Sequence, residues 1–272
     1  ICVRLVGSEM CIRDSMHIGE GSHEHRLLFS GDIKYEKSWL FDAATVRFPK
    51  ADTLVIESTY GGPQDFQPNR VDATHEIQDL VKLAVSRSGK IFCPVFAVGR
   101  SQEVMLAIDQ LFKSGDVTPI TVWLDGMISE ATAIHASHPD YLNRDLRKQV
   151  LRGGEENPFN SPWFKQVDSR EQRESILNDP SPCIVLATSG MMTGGPIMEY
   201  FKNWAPELNN TLCFVGYQAS GTMGRRLQSG HPEVPMVDRG QTHMIPVSCN
   251  VVTIDGFSAV SYTHLTLPTI IT

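Results

Sequence analysis

No run of this 272-residue chain stays apolar long enough to cross a bilayer, and no C-x-x-C spacing occurs among its six cysteines. The first absence excludes a membrane-spanning helix. The second excludes a zinc knuckle. Cys93, Cys183 and Cys213 sit inside apolar, strand-like runs instead, which fits buried, reduced thiols of a cytosolic protein rather than a disulfide frame. Walker A, G-x-S-x-G and G-x-G-x-x-G signatures are also missing, so no phosphate loop, hydrolase elbow or dinucleotide fingerprint is read. Basic excess is lacking too. At a net charge of −7, a polyanion must be held by a local basic patch or a metal. The chain shows no repeat, low-complexity tract or flexible linker. What remains is a globular composition, 41% hydrophobic and 20% charged, enough for one large domain or two smaller ones.

Two apolar runs end on carboxylates: Leu27-Leu28-Phe29-Ser30-Gly31-Asp32 and Thr53-Leu54-Val55-Ile56-Glu57. Short runs of this kind, closed by turn residues, read as buried strands, which would put both acids at one rim of a sheet. Each acid either caps a turn or belongs to a site. Ser58, Thr59, Tyr60 and Gly61-Gly62 after Glu57 add hydroxyls and a backbone that a ligand can approach closely. Upstream, His17 to Phe29 reads as a hairpin turning at Gly19 to Ser22.

From residue 71 the pattern alternates. Helices are expected at about 71–86, 101–113, 131–135, 170–177 and up to Trp204, with strands at about 90–96, 120–124, 183–187, 211–215 and 247–255. Residues 152–162, rich in Gly, Asn and Pro, read as a surface loop. Alternating strands and helices imply a parallel, layered α/β domain.

Three strand-to-helix junctions share one character: Ala97 to Ser101, Ser189 to Pro196, and Ser220 to Arg226. Each sets Gly and Ser or Thr ahead of a helix N-terminus, where free N–H groups favour an anion. Any one is ordinary loop chemistry. Three together, two beside arginines, suggest a groove lined for phosphates, with Arg100, Ser101, Ser189, Gly190, Gly194, Gly195, Thr222, Arg225 and Arg226 as its binding residues. Gly221-Thr222-Met223-Gly224 matches the G-x-x-G of a KH domain, but the surrounding elements are spaced wrongly. His135 and His138 lie one turn apart without a third ligand, so surface or packing roles are expected.

Both ends read as foreign. Residues 1–15 and the tail from Val260 resemble peptides that recur at the ends of metagenomic reading frames as translated adapter sequence, and they are set aside.

The motifs FSGDIKYEKSWLFDAA, VIESTYGG, DFQPNR, PVFAVGRSQEVM, LDGMISEATAIH, ENPF, VLATSGMMTGGP, FVGYQASGTMGRRLQSG and GFSA occur in this order. Together they resemble the metallo-β-lactamase/β-CASP ribonucleases, and among these the archaeal homologues of the cleavage and polyadenylation specificity factor endonuclease. The resemblance runs from about His17 to Ala259. It implies an α/β fold: part of a metallo-β-lactamase αββα sandwich (16–61), an inserted β-CASP domain with a parallel sheet flanked by helices (62–245), and a strand returning to the first domain (246–259). It further implies a zinc-dependent hydrolase that cleaves RNA in 3′-end processing or transcription termination, with two Zn2+. RNA and the transcription machinery are the implied partners, a homodimer the implied assembly, and the cytoplasm the implied location.

Under the resemblance, Asp32 corresponds to the metal-bridging aspartate and Glu57 to the first β-CASP acid, which supports a histidine at the scissile phosphate. The departures are large. The chain carries no H-x-H-x-D-H motif, and Val260 stands where a histidine should follow Gly256-Phe257-Ser258-Ala259. His17 does not fall on a ligand position. One metal ligand is kept of a site that takes about four per zinc. The expectation is an active parent enzyme and an inactive polypeptide of this sequence. The alternatives are a catalytically dead paralogue that docks RNA or a partner, or a DNA-directed nuclease of the same superfamily.

Overall fold

Apolar runs without helical spacing form the strands of this chain, and the amphipathic runs between them form helices that cover a sheet. In a computed structural model, residues 3–5, 14–18, 25–29, 31, 37–43, 51–56, 68–238 and 240–257 are described, 3–5, 14–18 and 238 by backbone alone.

Four short strands form one sheet in the order β1 (Val3–Leu5), β2 (Asp14–Ile18), β3 (His25–Phe29), β4 (Thr53–Val55). β1, β2 and β3 are antiparallel neighbours, so the expected hairpin forms with His17 opposite Arg26. β3 then runs parallel to β4, with Leu27 opposite Thr53 and Phe29 opposite Val55. Residues 3–5 and 14–15, set aside above, carry strand pairing in this sheet. β4 departs from the buried strand expected of it. Phe29, Leu54 and Val55 are all exposed, so neither face of β4 is buried, while Leu28 beside it on β3 is.

The larger unit follows as α1 (Arg70–Ser86), β5 (Ile91–Pro94), α2 (Arg100–Ser114), β6 (Val122–Asp125), α3 (Ile128–Ser137), α4 (Arg144–Arg152), β7 (Phe164–Gln166), α5 (Arg170–Asn178), β8 (Ile184–Ala187), α6 (Ile197–Trp204), β9 (Thr211–Phe214), α7 (Met223–Gln228), β10 (Glu233–Asp238), β11 (Gln241–Pro246) and β12 (Asn250–Thr253). Six strands lie in the order β12-β9-β5-β8-β6-β7, every neighbouring pair parallel. Successive side chains point to opposite faces. Ile91 and Cys93 accordingly join α1 and α2 through Ile77, Val81, Val104 and Ile108, while Phe92 joins α6 through Tyr200, Phe201 and Trp204. Both faces are covered, so β5, β8 and β9 are buried at every position, as parallel strands between two helical layers must be.

Local chemistry sets the helix ends. The Asn69 side chain accepts from Val71 and Asp72 N at the start of α1, and Ser169 accepts from Gln172 N at the start of α5. Gly115 ends α2 in the left-handed region at φ 79°, where a Cβ is strained. No helix is long and apolar enough to cross a membrane among the described residues.

Four features differ from expectation. α4 forms where none was read, held by an Asn143 cap and by two buried apolar residues, Leu146 and Val150. Residues 152–162 are not wholly a surface loop: Pro158 and Phe159 are buried in a 3-10 turn, and Ser161 Oγ donates to the buried Asp109 at 2.5 Å. The β10–β11 hairpin is new. Finally, β12, expected to return to the first domain, pairs with β9 at the edge of the six-stranded sheet, because its main chain continues the parallel ladder from Asn250 opposite Thr211 to Thr253 opposite Phe214. The segment Lys37–Ala43 is also tied to the helical layer. Leu40 is fully buried there, Asn143 Nδ2 donates to Trp39 O at 2.6 Å, and Trp39 Nε1 donates to Thr74 Oγ1 at 3.1 Å.

Candidate functional site

Parallel strands bring all their C-terminal ends to one rim, and β9, β5 and β8 are adjacent in the sheet. The chain leaves β5 through α2 on one face and leaves β8 through α6 on the other. Loops that diverge in this way open a crevice at the carboxyl ends of the strands, the usual ligand position in such sheets. The three Gly/Ser/Thr junctions singled out in the sequence are the loops after these three strands.

The first loop is held from within. Gln102 Oε1 accepts from Gly99 N at 2.7 Å, and Gln102 Nε2 donates to Ala97 O and to Thr132 Oγ1. Ser101 does not face a ligand. It is fully buried and its Oγ donates to Ala97 O at 2.9 Å, so its hydroxyl shapes the loop instead. Arg100 reaches across to donate to Val215 O at 3.2 Å, which lays its guanidinium beside Gly216; a Cβ on Gly216 would sit 3.5 Å from Arg100 Cζ.

In the second loop Ser189 Oγ donates to Gly194 O at 3.0 Å and accepts from Thr193 N at 3.1 Å. Gly195, at φ 81°, packs so closely that a Cβ would lie 2.6 Å from Thr188 O. In the third, Thr222 caps α7 by accepting from Arg225 N at 3.2 Å and donates to Ala219 O at 2.7 Å. The Ser189 and Thr222 hydroxyls therefore close their own loops.

The loops are also laced together. Phe96 packs its ring on Gly190, where a Cβ would come within 3.0 Å of Phe96 Cδ2. Gln218, 2% exposed, donates from Nε2 to Gly190 O at 2.8 Å. Its carboxamide lies against Gly224, and Arg225 and Arg226 follow. Both arginines are exposed and make no ion pair among the described residues. The rim therefore gathers Arg100, Ser189, Gly190, Gly194, Gly195, Thr222, Arg225 and Arg226, with Ser101 behind them. Asp32 and Glu57, which follow β3 and β4 in sequence, lie outside the described residues, as do Ser58 to Gly62 and Val260.

Sequence reasoning passed over three features. Asp125, at the end of β6 and 1% exposed, takes both Nε and a terminal nitrogen of Arg173 at 2.7 and 2.8 Å and the Tyr200 hydroxyl at 2.8 Å. The Asp125 carboxylate raises the Arg173 pKa, and burial raises that of Tyr200. Gln218 is the second feature, with its Oε1 buried and without a hydrogen-bond partner among the described residues. The third is a set of exposed apolar side chains at the rim, discussed below. A strand ending on Leu124-Asp125-Gly126 was a signal for the first; the others carried none.

Among the described residues no three His, Cys, Asp or Glu side chains converge as a metal site. His135 Nδ1 lies 2.7 Å from Ala131 O, and its ring stands 6.0 Å from Phe41; His138 Nδ1 lies 3.0 Å from Ser137 Oγ. Those contacts are the packing and surface roles expected of the pair.

Residues 101–227 match the Beta-Casp domain, a stretch that runs from the start of α2 through β6, β7, β8 and β9 and holds the loops after β8 and β9. The chain is 52% identical over 243 residues to the transcription termination factor FttA of Methanosarcina mazei, covering 89% of this chain and 38% of that protein. The FttA of Cenarchaeum symbiosum is 45% identical over 264 residues (96% and 40%), and that of Methanocaldococcus jannaschii 47% over 244 residues (89% and 38%). The chain thus spans about two fifths of the length of these curated relatives. The parallel sheet, its flanking helices and these matches agree: the chain carries a Beta-Casp domain and is similar along most of its length to archaeal termination factors of the FttA kind.

Proposed function

We propose that this chain is the RNA-engaging part of a zinc-dependent ribonuclease acting in transcription termination or RNA 3′-end processing. The carrying observation is the rim itself: three interlocked loops from adjacent parallel strands, with Arg100, Arg225 and Arg226 supplying positive charge in a chain of net charge −7. Relatives named transcription termination factors support the same reading. Residues 62–245 form the β-CASP portion and 16–61 part of the metallo-β-lactamase portion, with RNA between them and Asp32 and Glu57 on the nuclease side. A cytoplasmic homodimer working with the transcription machinery is the assembly we assign to the whole protein.

A bound zinc pair would supply hydroxide near neutral pH and stabilise the charged transition state. The described residues do not form the donor set such a pair requires. No catalytic step is therefore assigned to them, and purified chain with added zinc is expected to leave RNA intact; metal-dependent cleavage would overturn that expectation. RNA binding is the direct test. Fluorescence anisotropy with a labelled single-stranded RNA across a salt series should show Arg225→Ala/Arg226→Ala weakening affinity and flattening the log–log salt slope by about 1.4, or about 0.7 per lost phosphate contact. An unchanged slope would refute the placement of phosphates at α7.

A further inference from the structure

Apolar side chains crowd the same rim. Phe96 is 45% exposed, Val98 67% and Met127 69%, and Tyr217 is 48% exposed on the loop after β9. They occupy three different strand-to-helix loops, so a local accident of one turn does not account for them. Exposed apolar groups gathered beside a crevice mark a surface that something covers.

Phe96 has the most defined setting. It lies two residues past the end of β5, at the point where the chain leaves β5 toward one face and β8 toward the other. The missing side chain of Gly190 lets the ring lie against the β8 loop, which steadies it while the ring stays almost half exposed. The Gly190 carbonyl is in turn held by Gln218, and Gly224 beside Gln218 leads into Arg225-Arg226. A steadied, half-exposed ring is thus linked through three contacts to a pair of exposed cations that no acid neutralises among the described residues.

Aromatic rings interleaved with free cations are complementary to unpaired bases on a phosphate backbone. We infer that Phe96 is a stacking platform for an unpaired base, so that this rim takes single-stranded rather than duplex RNA. The inference rests on the RNA reading above and narrows it. Stacking is sequence-tolerant because every base presents a π face, whereas a paired base inside an A-form helix does not expose one.

Two labelled oligonucleotides separate stacking from charge: an unstructured 12-mer RNA, and the same ribose-phosphate chain without bases. Wild type should prefer the base-bearing strand. Phe96→Ala should weaken that strand roughly five- to a hundredfold and remove the preference, with the salt slope unchanged. Arg225→Ala/Arg226→Ala should do the reverse, flattening the slope and keeping the preference. Phe96→Trp preserves the platform and covers the chance that Ala loosens the loop; its fluorescence should quench with the base-bearing strand and not with the abasic one. If wild type binds neither strand, the RNA reading falls and this inference with it. If both bind equally, or the preference survives in Phe96→Ala, the inference alone is overturned and the patch is a protein contact.

Discussion

Gly224→Ala sets two effects of known sign against each other. Gly224 is the second residue of α7, where Ala should be favoured by up to about 1 kcal/mol on helix propensity alone. The space is already taken. A Cβ there would lie 1.8 Å from Gln218 Oε1, 2.7 Å from its Cδ and 3.2 Å from Phe214 Cε1. The carboxamide must move by more than an ångström, and it is buried and bonded to Gly190 O. Leaving that carbonyl unmet costs about 1–3 kcal/mol. Overpacking against Phe214 adds about 1–3 kcal/mol. After the propensity gain, a net loss of about 3 kcal/mol remains. In urea, with a slope of about 2 kcal/mol/M, the midpoint should fall by about 1.5 M. The cycle with Gln218→Ala isolates the carboxamide's share: in that background only the Phe214 contact, offset by the propensity gain, remains, so the loss should shrink to about 0–2 kcal/mol. A single variant as stable as wild type, or an equal loss in both backgrounds, would refute the fixed carboxamide.

Asp125→Ala strands the Arg173 guanidinium and removes the acceptor of the buried Tyr200 hydroxyl, so stability should fall by about 3 kcal/mol; a loss under about 1 kcal/mol in urea would contradict a buried, three-way contact. Burial pushes the Cys183 thiol up to about 12 and Cys249 to about 11, and the contact with Cys213 raises Cys93. These thiols lose their protons in the unfolded chain near the ordinary thiol value of 9.0 but hold them in the fold, so their stabilisation is complete below pH 9 and is lost as pH rises through 11 to 12. Thermal melts should show that decline, and a thiol-reactive disulfide reagent at pH 8 should modify Cys93, Cys183, Cys213 and Cys249 only on unfolding; rapid reaction in the native protein would show the core to be open.

The elements that sequence reasoning located are those whose causes are local. α1 carries Ile77, Leu80, Val81 and Ala84 at helical spacing, all four buried, and α2 ends at the glycine that a left-handed cap requires. α4 was missed because only Leu146 and Val150 mark its buried face; apart from the exposed Leu151 the rest of it is charged or polar. The pairing of β12 with β9 rather than with the first sheet is a long-range choice, and period-two alternation says nothing about which edge a strand joins. At the rim, the glycine and hydroxyl pattern located the loops, but not what each hydroxyl does. Ser101 and Thr222 both look like anion donors in sequence, and both bond to their own loop carbonyls. Gln218, Phe96 and the partners of Asp125 draw their meaning from contacts across loops.

The strand order has a consequence for the timing of assembly. Neighbours in the centre of the sheet are distant in the chain: β5 pairs Ile91 with Ile184 on one side and with Thr211 on the other. Contacts of such wide separation form late and slowly, because loop closure precedes any gain from them. During synthesis the Phe96 and Arg100 loop emerges early, yet Gly190 under Phe96 and the Val215 carbonyl that Arg100 reaches follow only with β8 and β9, and the 218–226 segment comes after them. RNA binding at this rim should therefore switch on in a single late step, which makes it a sensitive report that the whole sheet has closed.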